Sequence, residues 1–208
     1  AVLHAGGWAE RRDGDAPYTA AERLRPGHGP LAKDRGRPVE DLVDLGRTLK
    51  ADIWLRLPHQ CSDDYVDAVA TAVLGRLAPG QRVYVELGRD LWDGAWEPGQ
   101  YAQAQGQARN LGGSYPGVRW YVQRSREIWG RWQAIAGGDP RLVRVLSLNQ
   151  NAYLIRDALD WQGARDDVDV LAVNNGLGGV VTYQHPPDEI FALDAAGACD
   201  RLRQGLAQ

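Results

Sequence analysis

Glu86 and Asp90 stand at the end of an apolar run, and paired carboxylates are the residue type that general acid/base chemistry uses. The surrounding stretch reads Arg82-Val83-Tyr84-Val85-Glu86-Leu87-Gly88-Arg89-Asp90-Leu91-Trp92-Asp93. Apolar residues over 83–87 predict a buried strand, Gly88 releases it, and Arg89, Asp90 and Asp93 gather around Trp92. In a parallel α/β fold, sites are built at the carboxyl ends of the strands, and a carboxylate beside an aromatic there suits sugar chemistry. A strand regular as far as Asp90 would put the two carboxylates on one face, about 13 Å apart. That exceeds the separations used for glycoside hydrolysis, about 5–5.5 Å with retention and about 6.5–9.5 Å with inversion. The pair alone is therefore a poor catalytic dyad, and Glu86 reads more simply as a buried, paired carboxylate. Neighbouring strand residues face opposite sides, so the spacing does not require Arg89 to touch Asp90.

Other polar groups would ring the same end. His59 follows a strand over 53–57 and reads either as a binding residue or as a loop histidine paired with an acid. Asn149 and Gln150 follow a strand over 143–148 and are placed to bond hydroxyl groups or to cap the next helix. Trp92 and Trp96 can stack on a sugar ring or plug the core beneath a loop. Asn175, in Asn174-Asn175-Gly176, is a further binding candidate or part of a turn. The binding set is thus His59, Arg89, Trp92, Asn149 and Asn175, with Asp90 and Glu86 as catalytic candidates. Asp93 and Glu97 lie in the intervening loop, with nothing specific to single them out.

No cofactor or metal is expected. His4, His28, His59 and His185 are scattered, and Cys61 and Cys199 match no metal spacing. The two cysteines read as separate thiols, with a structural disulfide as the alternative. Gly176-Leu177-Gly178-Gly179 lacks the G-x-G-x-x-G pattern of nucleotide sites, and no nucleophile elbow is present.

The elements that must position these residues alternate between the strand and helix periods, which predicts βα units and a parallel sheet. Val2-Leu3 starts a strand fragment. Pro38 opens a helix whose apolar face is Val39, Leu42, Val43, Leu45, Gly46 and Leu49. Ser62 caps a helix with the stripe Val66, Val69, Ala70, Val73, Leu74 and Leu77. The segment 90–117, rich in Gly, Gln and Trp, reads as a long loop insertion. A helix follows with Val118, Tyr121, Val122, Ser125, Ile128, Trp129 and Trp132 on one face, the tryptophans at the spacing of core packing. A further helix spans 153–161, a last clear strand 168–173 and a final amphipathic helix 189–206. The basic residues Arg23, Arg25, Lys33, Arg35 and Arg37 are interleaved with acids and read as a solvated loop. About five strands in 208 residues make one domain over 1–208, shorter than the about 250 residues of a closed (β/α)8 barrel.

Composition is that of an ordinary globular chain, 44% hydrophobic and 25% charged. A net charge of -3 gives no electrostatic case for binding nucleic acid. No apolar run reaches the about 18 residues of a transmembrane helix. The chain opens at Ala1 and contains no Met, so a processed or trimmed N-terminus is expected, and processing fits export.

Ordered motifs resemble a known family. Pro58-His59 with Asp63-Asp64-Tyr65-Val66, then Val83-Tyr84-Val85-Glu86, Asp90-Leu91-Trp92-Asp93-Gly94 and Arg141-Leu142-Val143-Arg144-Val145-Leu146, are similar to secreted bacterial glycoside-hydrolase-like (β/α)8 barrel proteins. Glu86-Leu87-Gly88-Arg89-Asp90 is also similar to the E-L-x-N-E pattern of the retaining barrel hydrolases. The resemblance implies that Asp90 stands where that family has its acid/base Glu, and Arg89 where it has the Asn that holds the sugar's 2-hydroxyl. It makes the strand before His59 the third of a barrel, and the strands at 83–87, 143–148 and 168–173 the fourth, fifth and sixth. No first, seventh or eighth strand is found, and the seventh carries the family's nucleophile. The expected fold is therefore an incomplete, barrel-derived parallel α/β sheet of about five strands flanked by helices.

The departures matter for function. Arg replaces the Asn, and Asp shortens the Glu by one methylene. A cation beside a carboxylate favours its ionised form, which a general acid cannot use. The expectation is an exported protein, periplasmic or extracellular, that has lost catalysis and acts as an accessory, structural or glycan-binding subunit. Open sheet edges would invite other protein subunits to cover them. The alternative is an active retaining glycosidase with Asp90 as acid/base and its nucleophile strand on another segment.

Overall fold

A computed structural model describes residues 1–5, 17–27 and 37–174. The chain divides into two compact units, Ala1–Val173 and Asn174–Gln208, and the fold described is that of the first. Asn175, Cys199 and the helix expected over 189–206 lie outside the described residues, as do Lys33 and Arg35.

Strands β1 (Val2–Ala5), β2 (Asp52–Leu57), β3 (Val83–Leu87), β4 (Leu142–Asn149) and β5 (Val170–Asn174) form one sheet in the order of the sequence. The pairs β1–β2, β2–β3 and β3–β4 are parallel. A doubly wound sheet reverses direction at a switch point, and this one does not. Right-handed crossovers in unbroken succession put the helices on one face and curl the sheet. The result, among the described residues, is a five-stranded parallel half-barrel flanked by five helices, the incomplete barrel expected from the sequence. The helices are α1 (Val39–Leu49), α2 (Asp63–Leu74), α3 (Glu97–Ala108), α4 (Pro116–Ala136) and α5 (Ala152–Asp160).

Period-two alternation sorts the two faces of the sheet. Ile53, Leu55 and Leu57 of β2 and Val83, Val85 and Leu87 of β3 enter the main core with Val66, Val69, Ala70 and Val73 of α2. Helix α4 brings Tyr121, Ile128, Trp129 and Trp132 to the same core, as their spacing predicted. The Trp129 indole N–H donates to the Val85 carbonyl at 3.2 Å, so α4 is bonded to the sheet as well as packed on it. On the other face, register sets Trp54 beside Tyr84 and Arg56 beside Glu86. Ser62 caps α2 as expected, its Oγ accepting the Tyr65 N–H.

Two readings are corrected. The segment 90–117 is not a loop insertion, because it carries all of α3 and the start of α4. The buried residues of α3 are Gly99, Ala102 and Gly106, a small-residue face without apolar bulk. A Cβ at Gly106 would lie 2.0 Å from the Pro116 carbonyl oxygen, so glycine there lets α3 and α4 approach backbone to backbone. Arg23 is likewise not part of a solvated loop. Its Nη1 lies 2.9 Å from both carboxylate oxygens of Glu40 in the first turn of α1.

Candidate functional site

Those of the expected site residues that are described sit where β2, β3 and β4 reach their carboxyl ends. Glu86, only 1% exposed, is held from β2 on both oxygens. The Trp54 indole N–H donates to Oε2 at 2.7 Å, and Arg56 Nε lies 3.3 Å from Oε1. Trp54 also stacks on Tyr84, with ring centroids 5.7 Å apart and planes 14° from parallel. Arg82 caps that stack, its guanidinium carbon 5.6 Å from the Tyr84 ring centre. Glu86 is thus the buried, paired carboxylate of the simpler reading, enclosed by an aromatic and an arginine of the neighbouring strand.

Beyond Leu87 the strand geometry ends. Gly88 has φ +61° and Asp90 φ +52°, so the chain turns twice through the left-handed region within three residues. The premise of a strand regular to Asp90 therefore fails. The Asp90 carbonyl accepts the Asp93 N–H at 2.9 Å, closing a turn. Leu91 is buried and anchors it, and Asp90 is thereby turned toward Arg89, whose Nε donates to Asp90 Oδ2 at 3.1 Å. This contact, which alternation alone did not require, is a product of the left-handed backbone. The Asp90 side chain is 22% exposed and Arg89 65%, so the pair lies at the surface of the loop.

Tyr121 reaches the same end from α4. Its Oη accepts the Ser147 N–H at 2.9 Å, two residues beyond the last β3–β4 register pair, Glu86 with Val145. Burial holds the Tyr121 phenol well above its ordinary titration range, and the charges of Glu86 and Asp90 push the same way. The Ser147 hydrogen bond and Arg56 oppose them. Tyr121 therefore takes over the β4 backbone where β3 has turned away.

His59 forms a second cluster. Its Nε2 lies 3.1 Å from Glu97 Oε1 and 3.2 Å from Gln60 Nε2, and Gln60 donates to the same Glu97 oxygen at 3.3 Å. The imidazole meets Tyr101 edge to face at 5.2 Å, and Tyr101 meets Trp120 in the same way at 5.4 Å. His59 is thus a loop histidine paired with an acid, braced by α3.

The remaining candidates separate. Trp92 packs against the core beneath the loop, with its indole nitrogen buried and unpartnered among the described residues. Trp96, 57% exposed, is the solvent-facing indole of this loop. Asn149 Oδ1 accepts the Asn151 N–H at 3.0 Å, and Asn151 in turn caps α5 by accepting from Tyr153 and Leu154. Asn149 therefore shapes the turn into α5.

Sequence reasoning overlooked Trp54, Arg56, Gln60 and Tyr121 and left Glu97 without a role. The alternation of β2 was the available signal, since Trp54 and Arg56 are the polar-face residues of an otherwise apolar strand. Among the described residues no cluster of three or more His, Cys, Asp or Glu is placed to hold a metal ion. No described helix is long and apolar enough to cross a membrane. A recess of about 240 Å³ lies at the other end of the sheet, between Gly46, Lys50, Asp52, Pro79 and Gln81.

No family model matches the chain, and no curated protein and no solved structure matches it.

Proposed function

We propose that this chain is an exported glycoside-hydrolase-like half-barrel that has lost hydrolysis and serves as an accessory or structural subunit that binds glycan. The observation that carries this reading is that both candidate carboxylates already have a cation as partner. Asp90 accepts from Arg89, and Glu86 lies between Arg56 and the Trp54 indole. A general acid needs its proton retained by burial or by a neighbouring negative charge, and a facing guanidinium works against both. Glu86 is buried but faces Arg56, and Asp90 is partly exposed against Arg89. The parallel half-barrel and the motifs around residues 58–66 and 83–94 support the ancestry.

Glycan binding draws support from aromatic side chains that remain in solvent at the carboxyl ends of the strands. Trp96 follows β3, and Tyr153, 77% exposed, follows β4. Rings of this kind stack on the apolar faces of sugars. The test is calorimetric titration of the full chain with neutral oligosaccharides, followed by assay of the same mixtures for new reducing ends. Binding without new reducing ends is expected. Release of reducing ends at a rate that falls in Asp90→Asn would overturn the reading.

A further inference from the structure

We propose that the Trp96 indole and the adjoining His59–Gln60–Glu97 cluster form a binding subsite for a pyranose ring that carries no carboxylate; this rests on the glycan-binding reading and names its location and substrate class. Trp96 occupies the N-cap position of α3, where Ser, Thr, Asp or Asn would accept a backbone N–H. Its side chain makes no cap, and only its carbonyl serves the helix, accepting the Gln100 N–H at 3.0 Å. Nor does the core use it, for Trp120, Trp129 and Trp132 are buried and Trp92 packs beneath the loop. Among the described residues, Trp96 is therefore an exposed indole with no structural task, in the segment that follows β3.

The polar groups a sugar would need begin at the next residue along the chain. Glu97 is the next residue, and its Oε1 joins His59 Nε2 and Gln60 Nε2 within 3.3 Å. A carboxylate, an imidazole and an amide together offer both acceptors and donors to neighbouring hydroxyl groups. The cluster is fixed from behind by the Tyr101 and Trp120 rings, so it meets a ligand with little loss of side-chain freedom. Charge selects the class of sugar. Residues 88–97 carry the carboxylates of Asp90, Asp93 and Glu97 against the single guanidinium of Arg89, which Asp90 already engages. A uronic acid would meet like charge, whereas a neutral or amino-substituted pyranose would not.

The experiment is titration of the full chain, followed by tryptophan fluorescence and calorimetry, with three probes: a neutral gluco-oligosaccharide, an N-acetylglucosamine oligomer and a uronic acid oligomer. At least one uncharged probe is expected to bind, and the uronic acid oligomer is not. Trp96→Ala is expected to weaken binding at least ten-fold, and Glu97→Gln several-fold, with thermal midpoints unchanged because both side chains are exposed. Unaltered affinity in Trp96→Ala, or tight binding of the uronic acid oligomer, overturns the subsite and leaves glycan binding standing. Failure of the unaltered protein to bind any probe overturns glycan binding itself and the subsite with it.

Discussion

Trp54 and Glu86 are joined across the β2–β3 ladder by an indole N–H that donates to a buried carboxylate at 2.7 Å. The same carboxylate lies 3.3 Å from Arg56, on the same strand as Trp54. Removing its charge leaves the partly buried Arg56 facing a neutral amide. Glu86→Gln is therefore expected to destabilise the chain by about 2–3 kcal/mol, read as a lower urea midpoint at unchanged slope. A catalytic carboxylate held under strain would behave in the opposite way, with stability rising in the variant.

Gly88 and Asp90 both adopt positive φ, but they differ in what a new side chain would meet. A Cβ at Gly88 would come within 2.5 Å of Leu91 Cδ1 and 3.1 Å of His59 Cβ. Gly88→Ala is expected to cost about 2 kcal/mol from the left-handed backbone, with the contact adding to it. Asp90→Gly relieves the same kind of strain and gives up only an ion pair at the surface. Its thermal midpoint is expected to match the parent or exceed it.

The Tyr121–Ser147 hydrogen bond closes the gap where β3 leaves β4. Tyr121→Phe fills the same space but strands the Ser147 N–H, at a cost of about 1–2 kcal/mol. Hydrogen exchange should then speed at Ser147 well before it does at Val85 or Ile53.

Much of this architecture is legible in the amino-acid order. The strand at 83–87, the Ser62 cap and the α4 core face follow from local periodicity and capping chemistry, which act within a few residues. Helix α3 does not, because its buried face is Gly99, Ala102 and Gly106. Small residues give no apolar period, and their reason for being there is the approach of α4, which only the folded chain reveals. The site divides in the same way. Its position at the strand ends follows from the parallel βα pattern. The Arg89–Asp90 contact depends on left-handed backbone at an aspartate, and the Arg56–Glu86 pair depends on register between strands that lie 30 residues apart in sequence.

Cys61 is a free thiol, buried, and pushed up to about 12 by burial, against the opposing pull of Arg124. In a Cys199→Ser variant it should react with a thiol reagent only as fast as the chain opens. The folded value exceeds the ordinary 9.0, so the thiol's contribution to stability is complete below about pH 9 and is lost as pH rises toward 12. Urea midpoints should fall over that window, and Cys61→Ala should remove part of the fall. Tyr65, Tyr121 and Tyr101, whose phenols burial also holds above their ordinary range, contribute to the remainder.

Under the proposed function, the strand-end carboxylates do not catalyse glycoside hydrolysis. The direct measurement is turnover of a panel of aryl glycosides and β-glucans by the unaltered chain, beside Asp90→Asn and Glu86→Gln. No turnover above buffer is expected in any of the three. Clear turnover by the unaltered chain, abolished in Asp90→Asn, would contradict it.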